Sequence, residues 1–544
     1  MRRSLPTDGR CAEEAAVRRF SSYGPVDKDL HYYVPREELV RRACSELEGR
    51  DPEKGGHYVT VWAPRQCGKT WIMNEVLWRL QAEGSFRVLK SSLENLKALK
   101  GPGEVLEAFA RVIRKGLSLD APPVERPDEL PSLFAREVLH RPLILILDEF
   151  DALGEEAIGA LAGAFRYVHD MRRQDPRPSA EKEYLLHGLA LVGVRSVVGV
   201  ENVAGSPFNV QRSMRVPNLT RDEVRSMFRW YEEESGQQVE PAVADRVFDE
   251  TRGQPGLVSW LGELLTEAYP PGPGRGVSAP HFDGVLKRAL RALPNNNIIN
   301  IIAKADREPY RGTVLELFRT SLKTEFAFDD PRLNFLYMNG VIDMEDAGEN
   351  LYVRFSSPFV QKRLFNHFSR ELFGYVGKVH DITAEMDDVF EPGGLNVGNL
   401  LRRYQEHLRR NRDWLLKDAP RRKDLRVLEA VHHFALYEYL SQFLAGTGAR
   451  VWPEFPAGNG AVDLLVRCEG RLYPLELKSF THERDFPPAL KQAARYAASL
   501  GEDTVHLAVF VEEVPDEYRK KYETPCRDEE SGVLVVPVLV ETGP

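Results

Sequence analysis

The sequence predicts a multidomain α/β protein, and three observations lead to this prediction. Apolar runs at residues 58–62, 141–148 and 185–194 are followed by turn or helix patterns, as buried strands of a parallel sheet are. Two further strand patterns, at residues 461–466 and 472–479, are separated by a short turn. A chain of 544 residues is too long for one hydrophobic core, so we expect two to four domains.

Composition and charge narrow the class of protein. The chain is 42% hydrophobic and 28% charged, as ordinary globular proteins are. A net charge of −9 argues against a surface that coats nucleic acid uniformly, although local basic tracks remain compatible with it. Five scattered cysteines without a CxxC spacing argue against a disulfide framework or a structural zinc site. The N-terminus has no apolar signal segment and the chain no membrane-length apolar run, so we expect a cytoplasmic protein without a membrane partner.

Residues 63–70, Ala-Pro-Arg-Gln-Cys-Gly-Lys-Thr, lie between a strand pattern and a helix pattern, which is the arrangement of a phosphate-binding P-loop. Lys69 would contact the β- and γ-phosphates of ATP, and the Thr70 hydroxyl would ligate Mg²⁺. Ala63 stands where the motif has its first glycine, which is tolerable if its φ is negative. The predicted nucleotide-binding residues of the loop are Arg65, Gln66, Cys67, Gly68, Lys69 and Thr70.

Two carboxylates end the apolar run at residues 141–148. Ligands gather at the carboxyl ends of parallel strands, so Asp148 would hold Mg²⁺ through water and Glu149 would polarise the attacking water. These residues and the P-loop together predict binding and hydrolysis of ATP. Arg195, at the end of another strand pattern, would either supply charge to the γ-phosphate or pair with an acidic neighbour.

Three motifs resemble the AAA-like ATPase domain of bacteria and archaea, which is related to STAND and Orc/Cdc6-type ATPases. They are Tyr-Val-Pro-Arg-Glu at residues 33–37, the P-loop, and Leu-Asp-Glu-Phe-Asp at residues 147–151. The resemblance implies that Arg36 lies near the nucleotide base, whereas its position alone fits a surface arginine at a helix start equally well. It also implies that the Gly-Gln-Pro-Gly-Leu turn at residues 253–257 senses the nucleotide state. The implied divisions are an N-terminal arm (1–30), an ATPase core (31–217) with a helix from His31 to Leu47, and a helical lid (218–272) that starts with a Thr220–Glu223 capping box.

A helix, an Asn-Gly pair and two short strands within residues 285–375 predict a winged helix. Such a module binds DNA or packs on the lid, and the absence of a densely basic helix favours packing. Residues 376–424 form a predicted basic linker, which contains most of the most basic stretch of the chain, between Leu401 and Arg426. A phosphate-backbone track is favoured there over a solvated face, because the stretch lies beside the next motif, at residues 463–478. The residues of this basic stretch are Arg402, Arg403, Arg409, Arg410, Arg412, Lys417, Arg421, Arg422, Lys423 and Arg426, with Tyr404 and Trp414 interleaved.

Asp463, Glu476 and Lys478 form a second candidate site. Strand alternation places Glu476 and Lys478 on one face of the second strand, with Asp463 on the preceding strand. Unpaired burial of these charges is costly, so a divalent cation would neutralise them. Asp463 and Glu476 would hold Mg²⁺ or Mn²⁺, and Lys478 would position water or stabilise the phosphate. A salt-bridged hairpin without a metal would produce the same Glu-x-Lys pattern.

The order Asp463, then Glu476-x-Lys478, is similar to the signature of PD-(D/E)XK nucleases, with Val462 in place of the usual proline. The resemblance implies a restriction-endonuclease-like α/β domain over residues 425–544. RecB-type members of this family also carry a Gln-x-x-x-Tyr helix, which Gln492 and Tyr496 match, one helical turn apart. They carry a further acidic residue on a helix, which Glu429 matches.

The combined interpretation is an ATP-controlled, Mg²⁺-dependent nuclease, with DNA favoured over RNA as its substrate. The domain order resembles predicted bacterial fusions associated with defence against phages and mobile elements. Homo-oligomers and a triggering partner protein are compatible with it. The alternatives are a non-catalytic, nucleotide-switched DNA-binding protein and a STAND-type scaffold.

Overall fold

A computed structural model describes most of the chain, in two compact units. The first comprises Met1–Leu293 with Met338–Gly340, and the second Pro294–Tyr337 with Val341–Pro544. The described residues are 17–24, 26–99, 101–124, 126–193, 211–318, 324–373, 388–391, 394–416, 429–444, 447, 449–457, 460–479 and 483–543.

A parallel sheet forms the centre of the first unit, which confirms the predicted core. Its strands pair in the order β2-β3-β4-β1-β5. They are β1 (Tyr58–Trp62), β2 (Arg87–Ser92), β3 (Leu143–Asp148), β4 (Leu186–Gly193) and β5 (Gln211–Arg215). The chain reaches β3 two residues later than predicted, because Pro142 cannot donate to a sheet ladder.

Helices cover both faces of this sheet. One face packs against α1 (Glu37–Glu48) and α2 (Lys69–Glu83). The other packs against α3 (Pro102–Leu117) and α5 (Glu155–Gln174), and the short α4 (Arg136–Leu139) adds Leu139 to this core. Strands buried on both faces are continuously apolar, which explains the runs in the sequence. The first helix begins at Glu37 and not at His31, because Pro35 disfavours helical geometry in the residue before it.

The range predicted as a lid contains helices. They are α6 (Arg221–Ser235), α7 (Pro241–Thr251) and α8 (Pro255–Glu263), continued by a π-helical turn, and α9 (Ala279–Arg291) ends the unit. The Thr220–Glu223 capping box is present, with both reciprocal hydrogen bonds. Phe20 of the predicted N-terminal arm is buried against Phe228 and Tyr231 of α6, so this part of the arm is docked.

The second unit starts with a helical module. It contains α10 (Asn296–Ala305), α11 (Tyr310–Leu317), α12 (Pro331–Met338), the hairpin β6 (Ile342–Asp346) and β7 (Leu351–Phe355), and α13 (Pro358–Phe373). The order of helices and hairpin is the one predicted, and its assignment as a winged helix stays a prediction. Phe365 of α13 packs on Phe434, so the module shares a core with the rest of its unit.

A mixed six-stranded sheet follows in the order β10-β11-β12-β13-β15-β14. Its first three strands are antiparallel, and β12, β13 and β15 run parallel. The bounds are β10 (Arg450–Ala457), β11 (Gly460–Cys468), β12 (Arg471–Ser479), β13 (Thr504–Val511), β14 (Cys526–Arg527) and β15 (Leu534–Glu541); a two-residue pair, β8 (Phe390–Glu391) and β9 (Gly394–Leu395), precedes them. The helices of this part are α14 (Val397–Leu415), α15 (Glu429–Phe443), α16 (Phe486–Leu500) and α17 (Asp516–Tyr522).

The stretch predicted as a basic linker contains α14, and this helix packs against the sheet. Leu400, Tyr404 and Leu408 are fully buried, at the spacing of one helix face. Tyr404 is therefore a core residue and not an aromatic interleaved in a phosphate track. Arg402 pairs with Glu523, and Arg409 pairs with Glu541 at 3.1 Å. The later basic residues, from Lys417 to Arg426, lie outside the described residues.

Among the described helices, none combines the length and the apolar character needed to cross a bilayer.

Buried histidines make the second unit sensitive to acid. His432 stacks on Phe510, and its Nδ1 has no hydrogen-bond partner among the described residues. Burial lowers the pKa of His432 to about 4, and that of His506 likewise to about 4. The unfolded chain takes up these protons more readily, so stability is lost as pH falls from about 6.5 towards 4.

We expect His432→Phe to flatten this acid dependence, because phenylalanine keeps the stacking and cannot titrate. The fall in melting temperature between pH 7.5 and pH 5 should shrink, corresponding to about 2 kcal/mol of recovered stability. Thermal unfolding at both pH values measures it. His140→Asn is the control, since His140 is exposed and asparagine tolerates its positive φ. Equal pH dependence in wild type and His432→Phe would contradict the assignment.

Candidate functional site

The P-loop joins β1 to α2, and its backbone requires glycine at one position. Gly68 caps α2 in the left-handed conformation, with φ 85°. Gln66 also has a positive φ, of 59°, which is unusual for a residue with a side chain. Ala63 is buried and does not have a positive φ, so the departure from the glycine motif is accommodated.

Lys69 closes the loop on itself. Its Nζ donates to the carbonyl oxygens of Ala63 at 2.8 Å and Pro64 at 2.9 Å. Burial lowers the pKa of Lys69, while Cys67 and the carboxylates at the end of β3 oppose this shift. Thr70 follows in the first turn of α2, partly buried. The predicted phosphate-contacting lysine and metal-ligating hydroxyl are therefore adjacent at the N-terminus of a helix, where anions bind well.

The carboxylates after β3 lie at the end of the sheet where the P-loop begins. Asp148 is almost completely buried, and its Oδ1 accepts the backbone N–H of Glu149 at 3.0 Å. Its Oδ2 lies 3.1 Å from Nζ of Lys90, on the neighbouring strand β2. Burial raises the pKa of Glu149, and the nearby charges of Asp148 and Asp151 add to the shift. A raised pKa suits a carboxylate that accepts a proton from water.

The start of α8 touches the P-loop directly. Gln254 donates from Nε2 to the carbonyl oxygen of Arg65 at 2.9 Å, and the N–H of Gly256 donates to that of Gln66 at 3.0 Å. A Cβ on Gly256 would come within 2.6 Å of the Gln66 Cβ, so only glycine permits this approach. The turn that was predicted to sense the nucleotide is thus in hydrogen-bond contact with the loop that would hold it.

Arg36 connects the start of α1 to the lid. Its Nη2 donates to the carbonyl oxygen of Pro217 at 3.2 Å, and its Nε lies 3.8 Å from Oε1 of Glu223. The side chain is 11% exposed, so it is more enclosed than a typical surface arginine. Its predicted place near the nucleotide base stays a prediction. Arg195 lies outside the described residues.

The second candidate site lies on the middle strands of the mixed sheet. Glu476 and Lys478 of β12 pair in register with Leu507 and Val509, which face α16. Asp463 of β11 precedes Leu464, which pairs with Leu475, so Asp463 lies on the same face as Glu476. All three charged side chains are buried, which confirms the predicted alternation.

Short contacts hold these charges together. The Lys478 Nζ lies 2.6 Å from Oε1 of Glu476, and Oδ2 of Asp463 accepts the N–H of Leu477 at 2.6 Å. Burial raises the pKa of Glu476, and the charge of Asp463 adds to it. Burial disfavours the charged form of Lys478, but the surrounding carboxylates prevail and raise its pKa. The ammonium is therefore retained at neutral pH.

The remaining predicted residues surround this group. Glu429, at the start of α15, accepts the N–H of Ser479 at 2.9 Å and so fixes the end of β12. Nε2 of Gln492 lies 3.1 Å from the hydroxyl oxygen of Tyr496, and burial raises the pKa of that hydroxyl. His433 of α15 lies with Nε2 2.8 Å from the carbonyl oxygen of Asp463. It positions the backbone of the predicted metal-holding residue.

The second site offers a buried oxygen to a divalent cation. Oε2 of Glu476 is buried and has no hydrogen-bond partner among the described residues. A buried oxygen without a partner is costly, and a cation would satisfy it. No group of three or more histidine, cysteine or acidic side chains arranged for a metal occurs within the described ranges. A cation at this site would therefore have only the two carboxylates of Asp463 and Glu476 as side-chain ligands, and water would have to complete its coordination.

Residues 21–266 match the model of a family described as the AAA-like domain. This match spans the P-loop, the carboxylates after β3 and the start of α8. Residues 21–266 are an AAA-like domain. An AAA-like P-loop fold binds ATP, typically with Mg²⁺, and supports its hydrolysis. Thr70 and Asp148 have the oxygen donors that Mg²⁺ requires.

Several solved structures resemble the chain distantly. The Walker-type ATPase PABY2304 of Pyrococcus abyssi has a TM-score of 0.42 at 16% identity, covering 63% of this chain and 99% of that one. Orc1 of Aeropyrum pernix, solved in complex with DNA, has a TM-score of 0.33 at 15% identity, with 63% and 95% covered. The RuvB Holliday junction branch migration motor of Thermotoga maritima has a TM-score of 0.32 at 14% identity, with 58% and 92% covered. No curated protein matches the chain.

Two contacts of the AAA-like domain were not anticipated from the sequence. Lys90 is one of many lysines, and only the pairing of β2 with β3 brings it to Asp148. Gln254 lies in the turn that the resemblance had singled out, but its bond to the P-loop depends on how the lid folds back. Alternation within β2 would have placed Lys90 on one face without naming its partner.

We expect Gly256→Ala to weaken ATP binding by about tenfold, because the added Cβ displaces α8 from the P-loop and removes its hydrogen bond to Gln66. Isothermal titration with a non-hydrolysable ATP analogue measures it. Gly159→Ala is the matched control, since a Cβ on Gly159 in α5 meets nothing within 4 Å. Unchanged affinity in a folded Gly256→Ala protein would show that the lid contact is not coupled to the loop.

Proposed function

We propose that the chain is an ATP-controlled nuclease that requires a divalent cation and acts on nucleic acid, with DNA favoured over RNA. The observation that carries the proposal is the buried group of Asp463, Glu476 and Lys478, in which one oxygen of Glu476 lacks a hydrogen-bond partner within the described part of the chain. A salt bridge between Glu476 and Lys478 alone would leave the second buried carboxylate, Asp463, without a neutralising charge. A bound cation would supply that charge.

Hydrolysis of a phosphodiester at this site assigns a task to each residue. Asp463 and Glu476 hold the cation, which when bound lowers the pKa of its water and offsets charge on the phosphate. Lys478 keeps its proton and donates to the attacking water or to a phosphate oxygen. Leu477 and His433 hold Asp463 in place through the backbone bonds described above.

Neighbouring residues organise the site around the reacting group. Glu429 fixes the end of β12 through Ser479. Gln492 and Tyr496 present an amide and a hydroxyl from α16, which covers the same face of the sheet. These groups are suited to contact the substrate or its water. The proposed antiviral role rests only on the resemblance of the domain order to predicted bacterial fusions.

ATP is proposed to act through the AAA-like domain. Lys69 exchanges its bonds to Ala63 and Pro64 for the phosphates, and this exchange reshapes the loop that α8 contacts. Glu149 accepts a proton from the attacking water, and Asp148 and Thr70 hold Mg²⁺. The proposed role of Arg195 near the γ-phosphate concerns a residue outside the described part.

We expect Glu149→Gln to lower the rate of ATP hydrolysis by about a hundredfold or more while ATP still binds, because the amide cannot accept a proton. Steady-state phosphate release and equilibrium nucleotide binding separate the two effects. Glu156→Gln is the control, since this glutamate in α5 is exposed. Undiminished hydrolysis in Glu149→Gln would remove Glu149 from the proposed mechanism.

We expect Asp463→Asn to reduce cleavage by at least about a hundredfold, because the amide is a poor ligand for a hard cation. Plasmid, single-stranded DNA and RNA are incubated with Mg²⁺ or Mn²⁺, with and without ATP. Glu469→Gln is the matched control, because it removes an exposed carboxylate from the turn between β11 and β12.

Lys69→Ala completes this experiment, because it should abolish ATP binding and with it the response of cleavage to ATP. Cleavage that survives Asp463→Asn would reject the assigned site. Cleavage by wild type that is the same with and without ATP would reject control by the AAA-like domain. A chain that binds ATP but cleaves none of the three substrates would favour the non-catalytic alternative.

A further inference from the structure

Lys90 lies inside the nucleotide site although no motif includes it. In the pairing of β2 with β3, Lys90 is opposite Ile146 and Ser92 is opposite Asp148, so Lys90 and Asp148 point to the same face of the sheet. Ile146 belongs to the core under α2, the helix that begins at Lys69. The Lys90 ammonium is therefore on the P-loop side of the sheet.

The contact between Lys90 and Asp148 is close and enclosed. Nζ lies 3.1 Å from Oδ2, and the two side chains are 14% and 4% exposed. Because Oδ1 already accepts the N–H of Glu149, both oxygens of Asp148 are occupied by groups of the protein. A cation that approaches Asp148 is repelled by the Lys90 ammonium. It is also repelled by the Lys69 ammonium, which is close enough to interact electrostatically with Asp148.

We propose that Lys90 is a positioning residue that reserves Asp148 for a metal ion arriving together with nucleotide. This inference rests on the proposed role of Asp148 in holding Mg²⁺. Without nucleotide, two ammonium groups repel a free divalent cation, and Lys90 competes with it for Oδ2. The phosphates of ATP supply the negative charge that offsets this repulsion, and Lys90 turns from Asp148 towards them. The site therefore takes the metal–nucleotide complex in preference to the free metal.

The test measures Mn²⁺ binding in the absence of nucleotide. The electron paramagnetic resonance signal of the free ion reports how much Mn²⁺ remains unbound. All proteins carry Asp463→Asn, which weakens the second candidate cation site. Lys90→Met should bind Mn²⁺ about tenfold more tightly than the parent, because one repelling charge and one competitor are removed. Lys90→Arg, which keeps the charge, should bind as the parent does. Adding Asp148→Asn to Lys90→Met should abolish the gain.

The sign of the effect distinguishes this role from a structural one. A lysine that only stabilised the fold would leave a damaged site on removal, so Lys90→Met would bind Mn²⁺ equally or less tightly, and that result would overturn the proposal. Lys90→Gln is measured in parallel with Lys90→Met. Circular dichroism shows which of the two variants is folded, and the binding result is taken from a folded one. If Asp148→Asn alone leaves Mn²⁺ binding in the presence of ATP unchanged, the metal-holding role of Asp148 fails instead.

Discussion

Each candidate site depends on a lysine that neutralises a carboxylate buried within a sheet. Asp148 is paired with Lys90, and Glu476 is paired with Lys478. Removing one partner from such a pair leaves an uncompensated charge away from water, which costs several kcal/mol, about 3–5 in measured cases. The pairs therefore constrain both the fold and the chemistry, and at Asp148 an entering metal ion must compete with an ammonium already in place. The proposed selectivity of Asp148 for metal bound to an anionic ligand follows from this competition.

The second constraint is the contact between the lid and the P-loop. The carbonyl oxygens of Arg65 and Gln66 accept hydrogen bonds from the turn that begins α8, and the missing side chain of Gly256 lets the helix approach. The same loop provides the two carbonyl oxygens that Lys69 occupies. A ligand that withdraws Lys69 thus alters a loop on which α8 rests. The proposed coupling between the phosphates and the lid would therefore need only a few backbone groups and no long pathway.

The sequence was sufficient for features that arise from local pattern. Strands buried on both faces are apolar throughout, and the Thr220 capping box is complete within four residues. The hairpin of the second site followed from alternation around Glu476 and Lys478. Contacts that depend on strand order could not be predicted, as Lys90 shows. The linker assignment of α14 was wrong for another reason: its arginines dominated the composition, whereas the buried stripe of Leu400, Tyr404 and Leu408 was the stronger signal.

The two lysine–carboxylate pairs differ in how freely the lysine can leave. Lys90 is on β2, the edge strand of its sheet, and keeps 14% of its side chain exposed, so it is less deeply buried than Lys478. Lys478 is on β12, an interior strand, and is 3% exposed, so withdrawing it would strand a charge in the core. Lys90 can therefore exchange Asp148 for an incoming phosphate, whereas Lys478 must remain beside Glu476 throughout. The same kind of ion pair, lysine with a buried carboxylate, is thus proposed to be exchangeable in one site and permanent in the other.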